Sequence, residues 1–98
     1  MMTLRFGAEY GAPPIFNTSV DDMGHIDIED LHISQQLSEM IINWDNQFQV
    51  TFNDDCPPES GFKSSEDLLK HNQYGKTLAS LLEKELGDNV RIDFIPLK

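Results

Sequence analysis

The feature that most constrains this fold is a helix followed directly by a strand, over residues 64–96. Ser64 is the predicted N-cap, and Asp67 places an acidic side chain in the positive first turn. Small and apolar residues then recur at helical spacing: Leu68, Gly75, Leu78, Ala79, Leu82 and Leu86. Gly87 is the predicted C-cap, and apolar and charged residues alternate over Val90–Phe94. These patterns predict an amphipathic helix packed on a half-buried strand.

The amino-terminal residues predict a second strand, because Thr3 to Tyr10 alternates apolar residues with Arg5, Gly7 and Glu9. Gly11-Ala12-Pro13-Pro14 ends that pattern. If the two terminal strands are neighbours, Arg5 and Glu9 are expected to face Asp93 and Arg91. Between the strand and the first helix, Ile15-Phe16 and Ile26-Asp27-Ile28 predict a hairpin with a turn at Asp22-Met23-Gly24.

A helix beginning after Ser34 is predicted by the apolar stripe Leu37, Met40, Ile41, Trp44 and Phe48. Trp44 lies in register with the stripe, so we expect it in the core and not at an interface. Val50 and Phe52 are expected to form a strand edge, before an acidic loop rich in turn residues. Gly75 is expected to let another backbone approach the second helix closely, which is a packing role.

Together these elements predict a single α+β domain over residues 1–98, with two helices packed on one face of a small sheet and adjacent terminal strands. The longest apolar run is three residues, far below a membrane span of about 18. The first residues contain no apolar stretch typical of a secretory signal, and the single Cys56 fits a reducing compartment. We therefore expect a soluble, cytoplasmic protein.

Charge is the most informative part of the composition, with 17 acidic residues against 7 basic ones and a net charge of −10. No Lys or Arg occurs between Arg5 and Lys63, and that interval holds all of the excess acidic charge. Its carboxylates are Glu9, Asp21, Asp22, Asp27, Glu29, Asp30, Glu39, Asp45, Asp54, Asp55 and Glu59. Such a field repels nucleic acid and anionic lipid and attracts cationic partners. An alternative interpretation is that the acidity serves only solubility.

The sequence contains no recognisable active site. The acidic neighbours of Cys56 repel negative charge, which disfavours a nucleophilic thiolate. His25, Asp27 and His32, with Asp21 and Asp22 nearby, match no metal-binding spacing and are interpreted as a solvated acidic turn. Phosphate-binding loops, serine-nucleophile elbows and basic aromatic patches do not occur. We therefore predict a binding protein that has no catalytic, cofactor or metal site, and whose acidic interval suits a cationic groove such as the substrate channel of a ribonuclease.

The chain resembles a known family through Tyr10-Gly11, Leu31-x-Ile33-Ser34-x-x-Leu37, Trp44, Ser60-Gly61-Phe62 and Gly75-x-x-Leu78-Ala79-x-x-Leu82-x-x-Glu85-Leu86-Gly87. These residues and their spacing resemble those of the small acidic immunity proteins encoded beside bacterial polymorphic and contact-dependent growth inhibition toxins. The resemblance implies an α or α+β fold without catalysis that binds a cognate toxin, often a nuclease, in the cytosol. Several such proteins carry their acidic anchors on one regular helix, whereas here the carboxylates lie largely in loops.

Our leading hypothesis is an immunity protein that neutralises a basic toxin domain, with a nuclease as the expected target. The predicted partner-binding residues are Asp21, Asp22, Met23, Asp27, Glu29, Asp30, Asp45, Asp54, Asp55 and Glu59, among which Met23 is the apolar anchor. The free protein is expected to be a monomer, because its charge opposes self-association. The alternatives are an acidic mimic or assembly factor for a host nucleic-acid-handling protein, and a small hydrolase.

Overall fold

The computed structural model describes residues 2–18, 23–52, 55–56, 61–87 and 89–97. The described elements are four strands, a 3-10 turn called η1 and two helices. In chain order they are β1 (Met2–Phe6), β2 (Ile15–Asn17), β3 (Gly24–Ile26), η1 (Ile28–Asp30), α1 (Gln35–Gln49), α2 (Ser65–Leu86) and β4 (Val90–Phe94).

The strands form one mixed sheet in the order β3-β2-β1-β4. The central strand β1 is antiparallel to β2 and parallel to β4, and β2 is antiparallel to β3. The predicted antiparallel pairing of the two short strands and the predicted adjacency of the terminal strands are therefore confirmed, but Gly24, which was expected in the turn, is the first residue of β3. Leu4 lies opposite Ile92, and Phe6 lies opposite Phe94 and Ile15, so apolar residues are in register on one face of the sheet.

Both helices pack on this apolar face, which confirms the predicted α+β architecture. Trp44 of α1 is 1% exposed, and its ring centroid lies 4.9 Å from that of Phe6 in β1. Its indole N–H donates to the backbone carbonyl of His71 in α2 at 2.9 Å. This hydrogen bond satisfies the one polar atom of the buried indole ring and joins the two helices. The prediction that Trp44 belongs to the core is correct.

Side chains cap both helices at the predicted positions. The Ser34 hydroxyl accepts from the backbone N–H of Leu37 at 3.2 Å, and the Ser64 hydroxyl accepts from Asp67 at 3.0 Å. Ser34 has a second partner, since its own N–H and hydroxyl donate to the Glu85 carboxylate at 2.6 and 2.9 Å. The start of α1 is thereby tied to the end of α2.

Gly75 has the predicted packing role, but its neighbours are aromatic rings and not another backbone. A Cβ at this position would lie 2.7 Å from Trp44 Cζ2 and 2.7 Å from Phe94 Cε1. The missing side chain therefore lets α2 approach both α1 and β4 closely.

The predicted first strand is too long at its carboxyl end. β1 ends at Phe6, because Pro13 and Pro14 of the facing segment cannot donate the hydrogen bonds that would extend the ladder. The expected pair of Glu9 with Arg91 is consequently wrong, since Thr3 lies opposite Arg91. The other expected pair, Arg5 opposite Asp93, is correct in register.

Two further strand predictions are wrong. Val50 is the C-cap of α1. Phe52 follows in a turn, where its own N–H donates to the Gln49 carbonyl at 3.2 Å. Neither residue therefore forms a strand edge. Ile28 is not part of β3, because the chain turns into η1, where the N–H of Leu31 donates to the Ile28 carbonyl at 3.1 Å. The local turn replaces the ladder hydrogen bonds that a longer strand would need.

Candidate functional site

The carboxyl end of α1 holds the segment between β1 and β2 in place. The Gln49 side-chain amide donates to the Glu9 carbonyl at 2.8 Å, and its oxygen accepts from the Gly11 N–H at 3.2 Å. The Tyr10 ring stacks on the Phe48 ring with centroids 4.1 Å apart. These contacts position the two prolines that follow against the exposed side of α1.

The turn η1 lies on the other side of the same surface and completes a groove. We call this concavity the acidic groove; its volume is about 350 Å³. Its wall is formed by the proline pair, η1 and one side of α1, through Pro13, Pro14, Asp27, Ile28, Glu29, Ile42 and Asp45. Three carboxylates and two isoleucines thus line one groove, and no lysine or arginine is among the described lining residues. This combination suits a ligand that is both apolar and cationic.

Asp45 is the electrostatically unusual residue of the groove. Partial burial raises the pKa of its carboxyl above the usual range, because the charged form loses solvation. The Gln49 amide opposes this effect by donating to Asp45 Oδ1 at 3.3 Å. Asp45 is therefore a carboxylate held in a partly desolvated position, where a bound cation would be favourable.

A second concavity lies on the opposite side of η1, and we call it the apolar cavity. Its volume is about 340 Å³. Its walls are mainly apolar side chains from the sheet, from Leu31 after η1 and from the end of α2. Asp30, His32 and Glu85 contribute the titratable side chains. The short turn thus separates two concavities that both carry carboxylates.

The face of the sheet away from the helices has a different character. The Arg5 guanidinium lies 4.7 Å from the centroid of the Phe16 ring, and the Phe16 and His25 rings meet edge to face. His25 Nε2 lies 3.7 Å from a Glu9 carboxylate oxygen. Because this face includes Arg5, we do not assign it to a cationic partner.

The structure brings some of the predicted partner-binding residues together and separates others. Asp27, Glu29 and Asp45 share the acidic groove, while Asp30 borders the apolar cavity. Met23 is 63% exposed just before β3, and it lines neither concavity. Asp55 is exposed. The remaining predicted residues, Asp21, Asp22, Asp54 and Glu59, lie outside the described residues.

Sequence reasoning missed the apolar part of the groove. Ile42 follows the buried Ile41 but lies one position outside the stripe of α1, and it is 40% exposed. An isoleucine out of register with a helix stripe is the signal that predicts this exposure. Ile28 and the prolines carried no comparable signal, because only the folded chain brings η1 beside α1.

The described residues provide no metal centre, since no three His, Cys, Asp or Glu side chains among them converge on one point. The two histidines that were interpreted from the sequence as part of a solvated acidic turn have separate surroundings, with His25 beside Glu9 and His32 at the apolar cavity. His71 is 5% exposed, and its ring stacks on Trp44 with centroids 4.4 Å apart. Burial lowers the pKa of His71 to about 4, so it is neutral at physiological pH.

Comparison with known proteins identifies the family. Residues 2–97 match a family model described as Serratia CdiI immunity protein-like. The chain belongs to this family. It is a contact-dependent growth inhibition immunity protein, which confirms the resemblance seen in the sequence. The family implies a non-enzymatic, inhibitory role. A search of curated proteins found no match. Neither helix in the described part of this immunity protein combines the length and apolarity needed to cross a membrane.

Proposed function

We propose that this immunity protein neutralises a cognate toxin domain by presenting the acidic groove to a basic surface of the toxin, with the nucleic-acid cleft of a nuclease as the target. The observation that carries the proposal is that Asp27, Glu29 and Asp45 line the same groove as the half-exposed Ile42. A nuclease cleft is lined with cations that bind phosphates, so carboxylates at similar positions would compete with the substrate.

The charge distribution supports fast recognition of a basic partner. The groove belongs to the sequence interval between Arg5 and Lys63, which contains no Lys or Arg. Long-range attraction raises association rates, and salt screens it. Asp21, Asp22, Asp54, Asp55 and Glu59 belong to the same interval and are proposed to extend this field.

Ile42 and Asp45 are proposed to contribute to affinity, in addition to association rate. Ile42 offers exposed apolar area in the groove, and truncation of an apolar residue that is buried on binding has large effects on affinity. Asp45 already carries a desolvation penalty, which a toxin lysine or arginine would offset on binding. The immunity protein is proposed to act in the cytoplasm. When free it is proposed to be a monomer, because its net charge of −10 opposes self-association.

The test is an association-rate measurement against the toxin domain encoded immediately upstream of the immunity gene, at low and high salt. We expect the variant Asp27→Asn/Glu29→Gln/Asp45→Asn to associate about tenfold more slowly at low salt, with a flatter salt dependence. Glu39→Gln is the matched control for Glu29→Gln, because Glu39 is also an exposed glutamate but does not line the groove.

An unchanged on-rate and affinity in the triple variant would remove the groove from the interface. Charge reversal of Asp54 and Asp55 to Lys would then test the loop that was predicted from the sequence. If the upstream domain does not bind the wild-type protein at all, that domain is excluded as a dedicated toxin partner. A pull-down that then recovers a salt-labile mixture of host proteins would favour the acidic mimic.

A further inference from the structure

The apolar cavity on the other side of η1 has the properties of an anchor pocket. Leu31, Leu86 and Val90 contribute to its apolar wall, and its volume of about 340 Å³ falls at the lower end of the range for ligand-binding pockets. Water in an apolar space of this kind has few hydrogen-bonding partners, so an apolar group that displaces it gains affinity.

The titratable groups of the cavity determine which side chain fits. Asp30 and Glu85 place two carboxylates there, and none of the described lining residues is a lysine or arginine. Glu85 is held in place by its hydrogen bonds to the backbone N–H and hydroxyl of Ser34. A long side chain with an apolar stem and a cationic head would bury its stem against the wall and pair its head with these carboxylates.

We infer that the apolar cavity receives a lysine or arginine side chain of the toxin, as the anchor of the complex. This inference rests on the proposed function and deepens it. The turn η1 lies between the two concavities, so a toxin surface that covers Glu29 in the acidic groove lies one residue away from Asp30 at the cavity. Steering by the groove and anchoring in the cavity are then two parts of one interface.

The experiment measures the affinity of the upstream toxin domain for two variants of the cavity at pH 8. Val90→Phe fills the cavity, and Asp30→Asn removes one carboxylate. We expect each to weaken binding about tenfold or more. The matched controls are Leu69→Phe, which enlarges an exposed apolar side chain on α2, and Asp67→Asn, which neutralises an exposed aspartate. Both should stay within about twofold of wild type.

A double-mutant cycle identifies the occupant and keeps the test independent of Val90→Phe, should that variant fail to fold. Each toxin lysine or arginine is changed to methionine and paired with Asp30→Asn. We expect one basic residue to show strong coupling to Asp30, so that its loss and the loss of Asp30 together weaken binding much less than the product of the single effects. Unchanged affinity in Asp30→Asn, or in a folded Val90→Phe, overturns the anchor even if the acidic groove variants still slow association. Failure of the wild-type protein to bind the toxin would instead refute the proposed function itself.

Discussion

Protonation of His71 is expected to make the stability of this protein strongly dependent on pH below neutrality. His71 is 5% exposed and lies among the rings of Trp44, Phe48 and Phe62, at centroid distances of 4.4, 6.0 and 4.8 Å. Neither of its ring nitrogens has a hydrogen-bond partner among the described residues. A charged imidazolium in this position would therefore have no hydrogen-bond acceptor among the described residues to compensate its lost solvation.

The sign and size of this effect of pH on the free energy of unfolding follow from the lowered pKa of His71. The pKa of His71 is about 4 in the folded protein and 6.5 for an ordinary histidine, so the unfolded chain binds the proton first as pH falls. Above pH 6.5 both states are neutral, and this residue adds no pH dependence. Between pH 6.5 and 4 stability is progressively lost, by about 2 kcal/mol at pH 5 and about 3 kcal/mol below pH 4. Raised pKa values such as that of Asp45 act in the opposite direction, so a comparison with a variant is needed.

The assay is urea unfolding of the wild type and of His71→Phe at pH 7.5, 6 and 5, followed by far-UV circular dichroism. Phenylalanine keeps the stacked ring and removes both unpartnered nitrogens. We expect the stability difference between the two proteins to grow in favour of the variant by about 2 kcal/mol from pH 7.5 to 5. Measurements stop at pH 5, because the net charge approaches zero near pH 4.4 and solubility falls.

His32→Asn is the control for the loss of a histidine, because His32 is exposed whereas His71 is buried against aromatic rings. His71→Leu serves as a second variant if the larger phenylalanine overpacks the site. A stability difference between wild type and His71→Phe that stays constant from pH 7.5 to 5 would refute the reasoning, since the folded protein would then accept the proton as readily as the unfolded chain.

Three further predictions concern stability. Asp45→Asn should raise the urea midpoint at pH 7 while weakening toxin binding, because the folded state raises the pKa of this carboxyl and its ionised form therefore favours unfolding. Gly75→Ala should lower stability by about 1–2 kcal/mol in thermal or urea unfolding, since the clash of the new methyl group with two rings exceeds its gain in helix propensity. Ser64→Ala should lower the free energy of unfolding by about 1 kcal/mol through the lost helix cap, and Ser34→Ala should lower it more. The difference is expected because Ser34, in addition to its capping role, donates to the Glu85 carboxylate. Equal losses of stability in the two variants would contradict this role.

The helices and their caps were predictable because their signals are local. Ser34 and Ser64 each precede a stripe with helical spacing, and both cap as expected. His71 was left out of the second stripe because it is polar, although it lies three residues after Leu68 and four before Gly75. Periodicity alone would have predicted its burial, and its loss of charge follows from that burial.

The site was less predictable, because its shape depends on contacts between distant segments. Charge counting drew attention to residues 17–59 as a whole, and it did not distinguish Glu29 in the groove from Glu39 outside it. The proline wall of the groove follows a segment that Gln49 holds at Glu9 from 40 positions away. The pattern of a single segment contains no information about such a contact, and the pairing of η1 with α1 is equally non-local.

The arrangement separates the parts of the chain that stabilise the fold from those proposed to select a partner. Asp27 and Glu29 lie on or next to a short turn and are exposed, so their neutralisation should change stability by no more than about 0.5 kcal/mol. Asp45 is the exception, because its partial burial makes the ionised carboxyl unfavourable in the free protein. A cationic group of the proposed toxin partner would offset this desolvation penalty in the complex. The toxin-bound protein should therefore show a lower pKa for Asp45 than the free protein, measurable by NMR titration of the side-chain carboxyl. An Asp45 pKa that is unchanged by toxin binding would separate this residue from the recognition of cations.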